Sequence, residues 1–420
     1  MSSFVKIKAG AIQYVLVVSV IIVIVLFAFI SLIFLQKRTQ LKSELHKEAI
    51  HAVYLGFDYL KEHTIPYDTE IKKSFTDYDF ESTTMLKKRW GVFDLVIVQT
   101  TLKKEIFQKV ALMGNVNANR KALYLAENHE PLIVVGTTRI TGDVMLPKRG
   151  IPTGNIAGVS YYGNKLVYGT INTNADRLPK IQNLEEIRQL IVDPHFENSK
   201  YFELEEGAKM NQSFTKETLL FEADGLLQLD QMNLQGNIVI LSKTKIQVGR
   251  STHLENVLLI APEVVIESGV KGSFQVFASK SIVAKENSRL DYPSSLVVFK
   301  ETNENEVIDQ AVLEGIQIDD GAHVKGIVLF HSQKKKEDYK AKVYISEKGQ
   351  VTGEVYSTDY LELRGRVDGF VYAYKFIAKQ AGNVYTNHIY NGVLNATVIS
   401  KKYNGLFIGK KNTGVSKWVE

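Results

Sequence analysis

Gly349-Gln350-Val351-Thr352-Gly353-Glu354-Val355-Tyr356 is followed sixteen residues on by Gly365-Arg366-Val367-Asp368-Gly369-Phe370-Val371-Tyr372, and both read G-x-V-x-G-x-V-Y. A looser third copy starts at Gly382-Asn383-Val384-Tyr385. Upstream, Gly321-Ala322-His323-Val324-Lys325-Gly326-Ile327-Val328 has the same form with one extra residue. Between the copies lie short alternating segments, Val343-x-Ile345 and Leu361-x-Leu363, and then Phe376-Ile377. Further up, Ile246-x-Val248 and Val264-Val265-Ile266 alternate with Ile238-Val239-Ile240, Val257-Leu258-Leu259-Ile260, Phe274-Gln275-Val276-Phe277 and Leu296-Val297-Val298-Phe299.

This period has a physical meaning. One coil of a parallel β-helix is two or three short strands joined by turns, and each strand pairs with its copy in the next coil at about 4.8 Å. Alternate residues point inward, so Val, Ile and Leu stack in columns. Glycine falls where φ is positive or a side chain would clash. No coil buries its inner face alone, so many must stack. The pattern predicts a parallel β-helix over residues 211–395, with roughly ten coils and a length on the order of 45–50 Å, and a tail over 396–420. An antiparallel sandwich also shows many short strands, but it does not require G-x-V-x-G-x-V at near-constant spacing. Longer excursions fall around 300–315 and 331–341. There Lys334, Lys335 and Lys336, followed by Glu337 and Asp338, read as a solvated loop.

Upstream, residues 64–210 read as a β-rich middle region. Val92 to Val98 and Pro131 to Val135 are strand-like, and Thr138 to Leu146 alternates apolar and polar. Gly154, Gly158 and Gly163 read as turn glycines, since neither GxxxxGK nor GxGxxG stands before a helix. One connector helix is expected over 184–192, with Asn183 as cap, Glu186 completing a capping box, and Leu184, Ile187 and Ile191 on one face.

The N-terminus has a different character. Residues 11–35 carry no charge, and as a helix they span roughly 37 Å, enough to cross a bilayer core of about 30 Å with tilt. A transmembrane helix is therefore expected there, with the lipid bilayer as its partner. Leu41, Leu45, Ala49, Ala52, Val53, Gly56 and Leu60 recur at spacings of three and four, which predicts a juxtamembrane stalk helix over 36–63, stopping before Pro66. Residues 1–10 form a short basic leader holding Lys6 and Lys8. Lys37, Arg38, Lys42 and Lys47 follow the span, and the positive-charge count alone favours a cytoplasmic body.

Two resemblances follow from these residues. Lys6-Ile7-Lys8-Ala9-Gly10, then Ala11 and an apolar run, resembles the leader of type IV pilins and pseudopilins, which a prepilin peptidase cuts after glycine. That implies cleavage between Gly10 and Ala11 and a body on the periplasmic side of a bacterial inner membrane. The resemblance covers about the first thirty-five residues, and it departs from the pattern at Val15, where most such proteins carry Glu. Residues 321–393 resemble the bactofilins, polymer-forming β-helix proteins. Gly349, Val351, Gly353, Val355, Gly365, Val367, Gly369 and Val371 carry that resemblance, which implies a rigid scaffold with end-to-end assembly.

Chemistry is sparse. The chain has no cysteine, so disulfides, thiolate nucleophiles and Cys-ligated zinc are excluded. Its net charge of +5 is scattered, and nucleic acid is not an expected partner. Parallel β-helices also host polysaccharide lyases and hydrolases, whose sites need convergent carboxylates. Asp319, Asp320, Glu347, Asp359, Glu362 and Asp368 fall on different turns. His46 and His51 are five apart, off ligand spacing. Asp193-Pro194-His195 reads as a turn, and neither HExxH nor GxSxG occurs.

The expectation is a mostly β, non-enzymatic, single-pass envelope scaffold with no catalytic residues, metal or cofactor. Self-association through a terminal coil, or contact with other envelope proteins, is expected of it. A pseudopilin-like subunit of a secretion, pilus or DNA-uptake machine is the alternative, and a carbohydrate-active β-helix enzyme is the third reading.

Overall fold

The computed structural model describes residues 9–117, 119–196, 199–301, 314–334, 338–409 and 412–420. Lys6 and Lys8 of the leader, and Lys335, Lys336 and Glu337 of the expected loop, lie outside them. One long helix, α1 (Ala9–Glu62), opens the chain. Among the described residues the remaining regular elements are strands, apart from a second helix, α2 (Leu184–Val192). Two compact units form: α1 up to Tyr59 with Glu70–Met85 and Val98–Lys109, and Leu60–Thr69 with Leu86–Ile97 and Val110–Glu420.

The second unit is a parallel β-helix whose strands run in three stacks. In the first stack, Lys245–Val248, Glu263–Ile266, Ser281–Ala284, Gly315–Ile318 and Val343–Ile345 succeed one another, each in register with the next. The second joins residues His253, Lys271, Arg289, His323, Gln350, Arg366 and Val393 as successive partners. The third runs through Val239, Leu258, Gln275, Ser295, Ile327, Glu354 and Phe370. Inward residues form unbroken apolar columns. Val324, Val351, Val367, Leu394 and Ile140 make one, and Val276, Leu296, Val328, Val355, Val371, Leu123 and Val144 another, all fully buried in one core. Each such side chain contributes roughly 1.5–3 kcal/mol of burial.

The repeat that predicted this fold sits in register: Val351 pairs with Val367, Gly353 with Gly369, Val355 with Val371 and Tyr356 with Tyr372. Gly326 precedes Gly353 in the same column. The three glycines have φ of 141°, 145° and 149°. A Cβ on Gly353 would collide with the carbonyl oxygen of Gly326, and one on Gly369 with that of Gly353. Glycine is required there by both φ and close backbone approach.

The third copy is corrected by the structure. Asn383–Thr386 does not form a further coil; it pairs antiparallel with Ile377 to Gln380. Ala381 and Gly382, with φ of 49° and 77°, close a tight hairpin between them, because two successive positive-φ residues fit the twist of a two-residue hairpin turn. Val393–Asn395 takes the next place in the column instead.

The expected division at residue 210 is also corrected. Leu123–Leu125 pairs in parallel with Val371 to Ala373, and Arg139–Thr141 with Val393–Asn395. Val144–Met145 then stacks on Leu123–Leu125, and Ile171–Asn172 on Val144–Met145. Residues 123–172 thus supply the last coils of the rod, beyond those formed by 366–395. The chain builds that end first and then passes along the outside. It begins coiling again at Ser199–Tyr201, which pairs with Thr218–Leu220. The sequence order hides the spatial order.

The third stack is buried on both sides. Outward-facing Val239, Leu258, Ile260, Phe277, Val297, Ile327, Leu329, Tyr356 and Tyr372 form a second apolar cluster with Trp90, Val92, Phe93, Leu95, Val110 and Leu112, with Ile187 of α2, and with Leu406 and Ile408. The Gln275 amide locks this cover in place. It accepts from Val92 N at 2.9 Å and donates to Trp90 O at 3.0 Å.

The C-terminal segment 396–420 is no loose tail. Thr413–Trp418 pairs antiparallel with residues 111–115, and Asn404–Gly405 with Asn115 and Val116.

The connector helix forms with the expected face, but its expected cap does not. Asn183 makes no side-chain cap bond. Buried, it donates from Nδ2 to Val92 O at 3.3 Å, and Glu186 turns instead to Arg89. A packed tertiary partner outweighs a local cap worth about 1 kcal/mol.

In the first unit, Ile71–Lys73 pairs antiparallel with residues 83–85. Leu45 and Ala49 of α1 pack on Leu102 and Phe107. Gly56 lets α1 approach so closely that a Cβ there would stand 2.7 Å from Val98 Cγ1. Tyr59 meets Phe75 edge-on at 5.9 Å, with the Lys73 ammonium 4.0 Å from the Tyr59 ring centre.

Candidate functional site

The feature with the clearest physical demand is the first half of α1. From Gly10 to Glu44 every residue is exposed, and burial begins at Leu45. Leu16, Ile24, Phe27 and Phe34 are 61%, 61%, 71% and 69% exposed. Burying an apolar side chain of this size stabilises by roughly 1.5–3 kcal/mol. A rod of about seven turns left bare to water is untenable, and it needs an apolar surrounding. The stripe predicted for the stalk then splits as the packing requires: Leu41 is exposed, while Leu45, Ala49, Ala52, Val53 and Leu60 are buried.

Gly10 and Ala11, the expected cleavage junction, lie in the first turn of α1 and are exposed. A Cβ on Gly10 would meet nothing within 4 Å, so packing does not require glycine there. The other predicted site residues, Gly349, Val351, Gly353, Val355, Gly365, Val367, Gly369 and Val371, occupy the repeat columns. Their role there is structural.

The carboxylates weighed for catalysis stay apart. Glu362 is held by Arg364 at 2.8 Å, and Asp368 accepts from Arg366 Nε and Gln350 Nε2. Asp359 is buried beside Ser357 and Tyr360 N. Asp320 lies in a turn, where Ser346 and the backbone of Lys348 hold its pKa below the usual range. Glu347 shares Arg364 with Glu362, 3.8 Å from Nη1, and Asp319 accepts from Gln317 Nε2 at 2.6 Å. Among the described residues no three His, Asp or Glu side chains converge as metal ligands. His46 stands 4.0 Å from Glu105 and edge-on to Phe107.

Sequence reasoning missed two charged clusters. Arg120 and Glu354 pair in the interior of the second unit, and Glu354 also accepts from Leu406 N. Arg120 further donates to Asn115 O at 2.7 Å and Tyr403 O at 3.1 Å. Glu354 is the one charged residue in the row Val239, Leu258, Gln275, Ser295, Ile327, Glu354 and Phe370, and that was the available signal. The second cluster is Lys300, Glu314 and Lys342 with Asp338, at the roots of the two long excursions. Its members are too far apart in sequence to show a pattern.

Fold and surface define a class: a chain with one bare apolar N-terminal helix and a discontinuous, three-sided parallel β-helix. No family model matches it, and no curated protein matches it. Among solved structures, the competence-associated pilin ComZ from Thermus thermophilus aligns over 89% of this chain and 97% of its own, at 9% identity and a TM-score of 0.22. That score is too low to establish a common fold.

Proposed function

We propose that this protein is a single-pass membrane protein of the bacterial cell envelope that tethers a rigid, non-catalytic β-helix to the lipid bilayer as a scaffold. The observation that carries this reading is the bare apolar surface of residues 11–35, continuous in one helix with a stalk whose own apolar stripe is already covered. Rigidity follows from in-register stacking of the coils, since each column buries its neighbours and no coil bends without exposing apolar surface. The test is extraction. The full chain stays with membranes through high salt and alkaline carbonate and leaves only in detergent, whereas release by salt alone would sink the reading.

A second reading is a pilin-like subunit, whose bare helix half packs against copies of itself in a filament. Lys6-Ile7-Lys8-Ala9-Gly10-Ala11 supports it, together with the passage of α1 from bare rod to packed stalk without a break. It places the body on the periplasmic side of the inner membrane. Mass spectrometry of the mature N-terminus separates the two: Ala11 as first residue favours the pilin-like subunit, and an intact leader favours the permanent anchor.

A further inference from the structure

The second stack of the β-helix carries on its outer side a row of cations that neither the anchor nor the core accounts for. Lys271 is the register partner of Arg289, Arg289 of His323, His323 of Gln350, and Gln350 of Arg366. Neighbouring rungs lie about 4.8 Å apart. Lys325, two residues beyond His323, points to the same side of its strand. Lys348 stands in the turn before Gln350. Lys271, Arg289, His323, Lys325, Lys348 and Gln350, but not Arg366, line an open cleft of about 530 Å³.

Its charge is lopsided. Lys271, Arg289, Lys325 and Lys348 place one cation on each of successive coils. The single carboxylate lining the cleft is Asp291, 2.7 Å from Lys325 Nζ. Lys271 and Arg289 are exposed and make no ion pair among the described residues. Like charges on neighbouring rungs repel, so the row favours an anion that would occupy the cleft. Between the cations stand neutral hydrogen-bonding groups: the His323 ring, 2.9 Å from Thr352 Oγ1, and the Gln350 amide, whose Nε2 donates to Asp368 at 2.9 Å and leaves its oxygen as an acceptor. Burial, with Lys325 close by, holds the His323 pKa below its ordinary value, so the ring stays uncharged.

We infer that this cleft binds a linear, carboxylate-bearing polysaccharide laid along the rod axis, its carboxylates meeting Lys271, Arg289, Lys325 and Lys348 in turn. A polymer with charge at intervals and hydroxyls between fits an alternation of cations with His323 and Gln350. Single-stranded nucleic acid fits less well. It binds through aromatic platforms on which bases stack, and no Phe, Tyr or Trp lines this cleft. Duplex DNA presents one charge per roughly 1.7 Å of axis, far denser than one cation per coil.

The experiment uses the full chain in detergent micelles, titrated calorimetrically with polygalacturonate oligomers, uncharged dextran, and single- and double-stranded oligonucleotides, at low and moderate salt. Polygalacturonate binds, dextran does not, and affinity falls as salt rises. The double variant Lys271→Gln/Arg289→Gln loses at least tenfold in affinity for polygalacturonate. Lys271→Arg keeps it, and Lys243→Gln, on a residue outside the cleft, leaves it unchanged. If the double variant lacks a thermal transition, Arg289→Gln alone carries the test with a loss of at least threefold. Tighter binding of either oligonucleotide through the same residues, binding of dextran, or an equal loss in Lys243→Gln would each overturn the inference.

Discussion

Arg120 holds Glu354 by a charged hydrogen bond inside the second unit, where the two side chains are 3% and 0% exposed. Arg120 precedes the strand that supplies one of the last coils. Glu354 lies on the outer face of an earlier coil, where it also accepts from the backbone of Leu406. The pair therefore ties three stretches of chain that are remote in sequence. Phe370 and Tyr403 flank the guanidinium, with ring centres 5.5 and 5.4 Å from Cζ.

Removing one partner leaves an uncompensated buried charge. Arg120→Ala is expected to cost about 3–5 kcal/mol in denaturant unfolding. Arg120→Met combined with Glu354→Leu costs clearly less, because apolar groups of similar size replace both charges. If the double variant were as unstable as Arg120→Ala, geometry rather than charge would be the source of the loss.

The glycine column gives a sharper contrast. Gly353→Ala forces a Cβ into the Gly326 carbonyl at φ 145°, and nothing there can move without breaking the stack. Gly382→Ala sits at φ 77° with open space around it. The first is expected to abolish cooperative unfolding or to cost several kcal/mol; the second costs about 1 kcal/mol. Circular dichroism through a thermal ramp on both variants reads the difference.

The repeat was legible because each residue of G-x-V-x-G-x-V-Y serves the next coil in register, so the periodicity is the structure written out. The long apolar helix was legible for the same kind of reason: a charge-free run needs no partner to be read. What stayed hidden was non-local. Leu123-Tyr124-Leu125 is three residues long, and its partner is Val371-Tyr372-Ala373, nearly 250 positions away; no period connects them. Asn383-Val384-Tyr385 imitated the repeat, but two positive-φ residues just before it turned the chain back. One signal was present and unread. Val257 to Ile260 and Leu296 to Phe299 are continuous apolar runs rather than alternating ones, which marks strands covered on both faces and so foretells the sheet and helix lying on that stack. The anchor role of residues 11–35 rests on their exposure, whereas Gly10 and Ala11 were read from the leader alone.

Glu314 gives the fold an acid limit. Burial by itself raises its carboxyl, but hydrogen bonds from Lys300 and Lys342 outweigh that and hold its pKa at about 2, against an ordinary 4.5. A folded pKa below the unfolded one means stability that is full above pH 4.5 and lost as pH falls toward 2. About 2 kcal/mol is expected to disappear over that window, allowing for partial solvent screening. Denaturant midpoints between pH 5 and 2 should fall more steeply for the natural chain than for Glu314→Gln, which starts lower because Lys300 and Lys342 lose their partner.

His331 acts in a separate window. Its ring is stacked on Phe299 at 4.9 Å, and burial pushes its pKa down to about 4 from 6.5. The neutral ring is the folded form, so stability is full above pH 6.5 and declines as pH falls toward 4. His331→Phe should flatten the pH dependence between 6.5 and 4 and leave the Glu314 limb in place. An unchanged slope in that window would show that His331 does not control it.

The bare half of α1 is the part of the molecule on which the anchoring role rests, and it can be tested without touching the body. Ile24, 61% exposed, is near the middle of the apolar run. Arg at a helix centre costs about 2.5–3.5 kcal/mol for membrane insertion, while Ile favours it by a few tenths. Ile24→Arg should therefore lower the insertion equilibrium constant at least a hundredfold, read as release from membranes at a lower detergent concentration than the natural chain needs. Val15→Arg, near the end of the span, should cost far less, because a long cationic side chain there reaches the interface. If Ile24→Arg needed as much detergent for release as the natural chain, the helix would be held by protein contacts along its length rather than by lipid, and the filament-packing alternative would gain at the expense of the anchor.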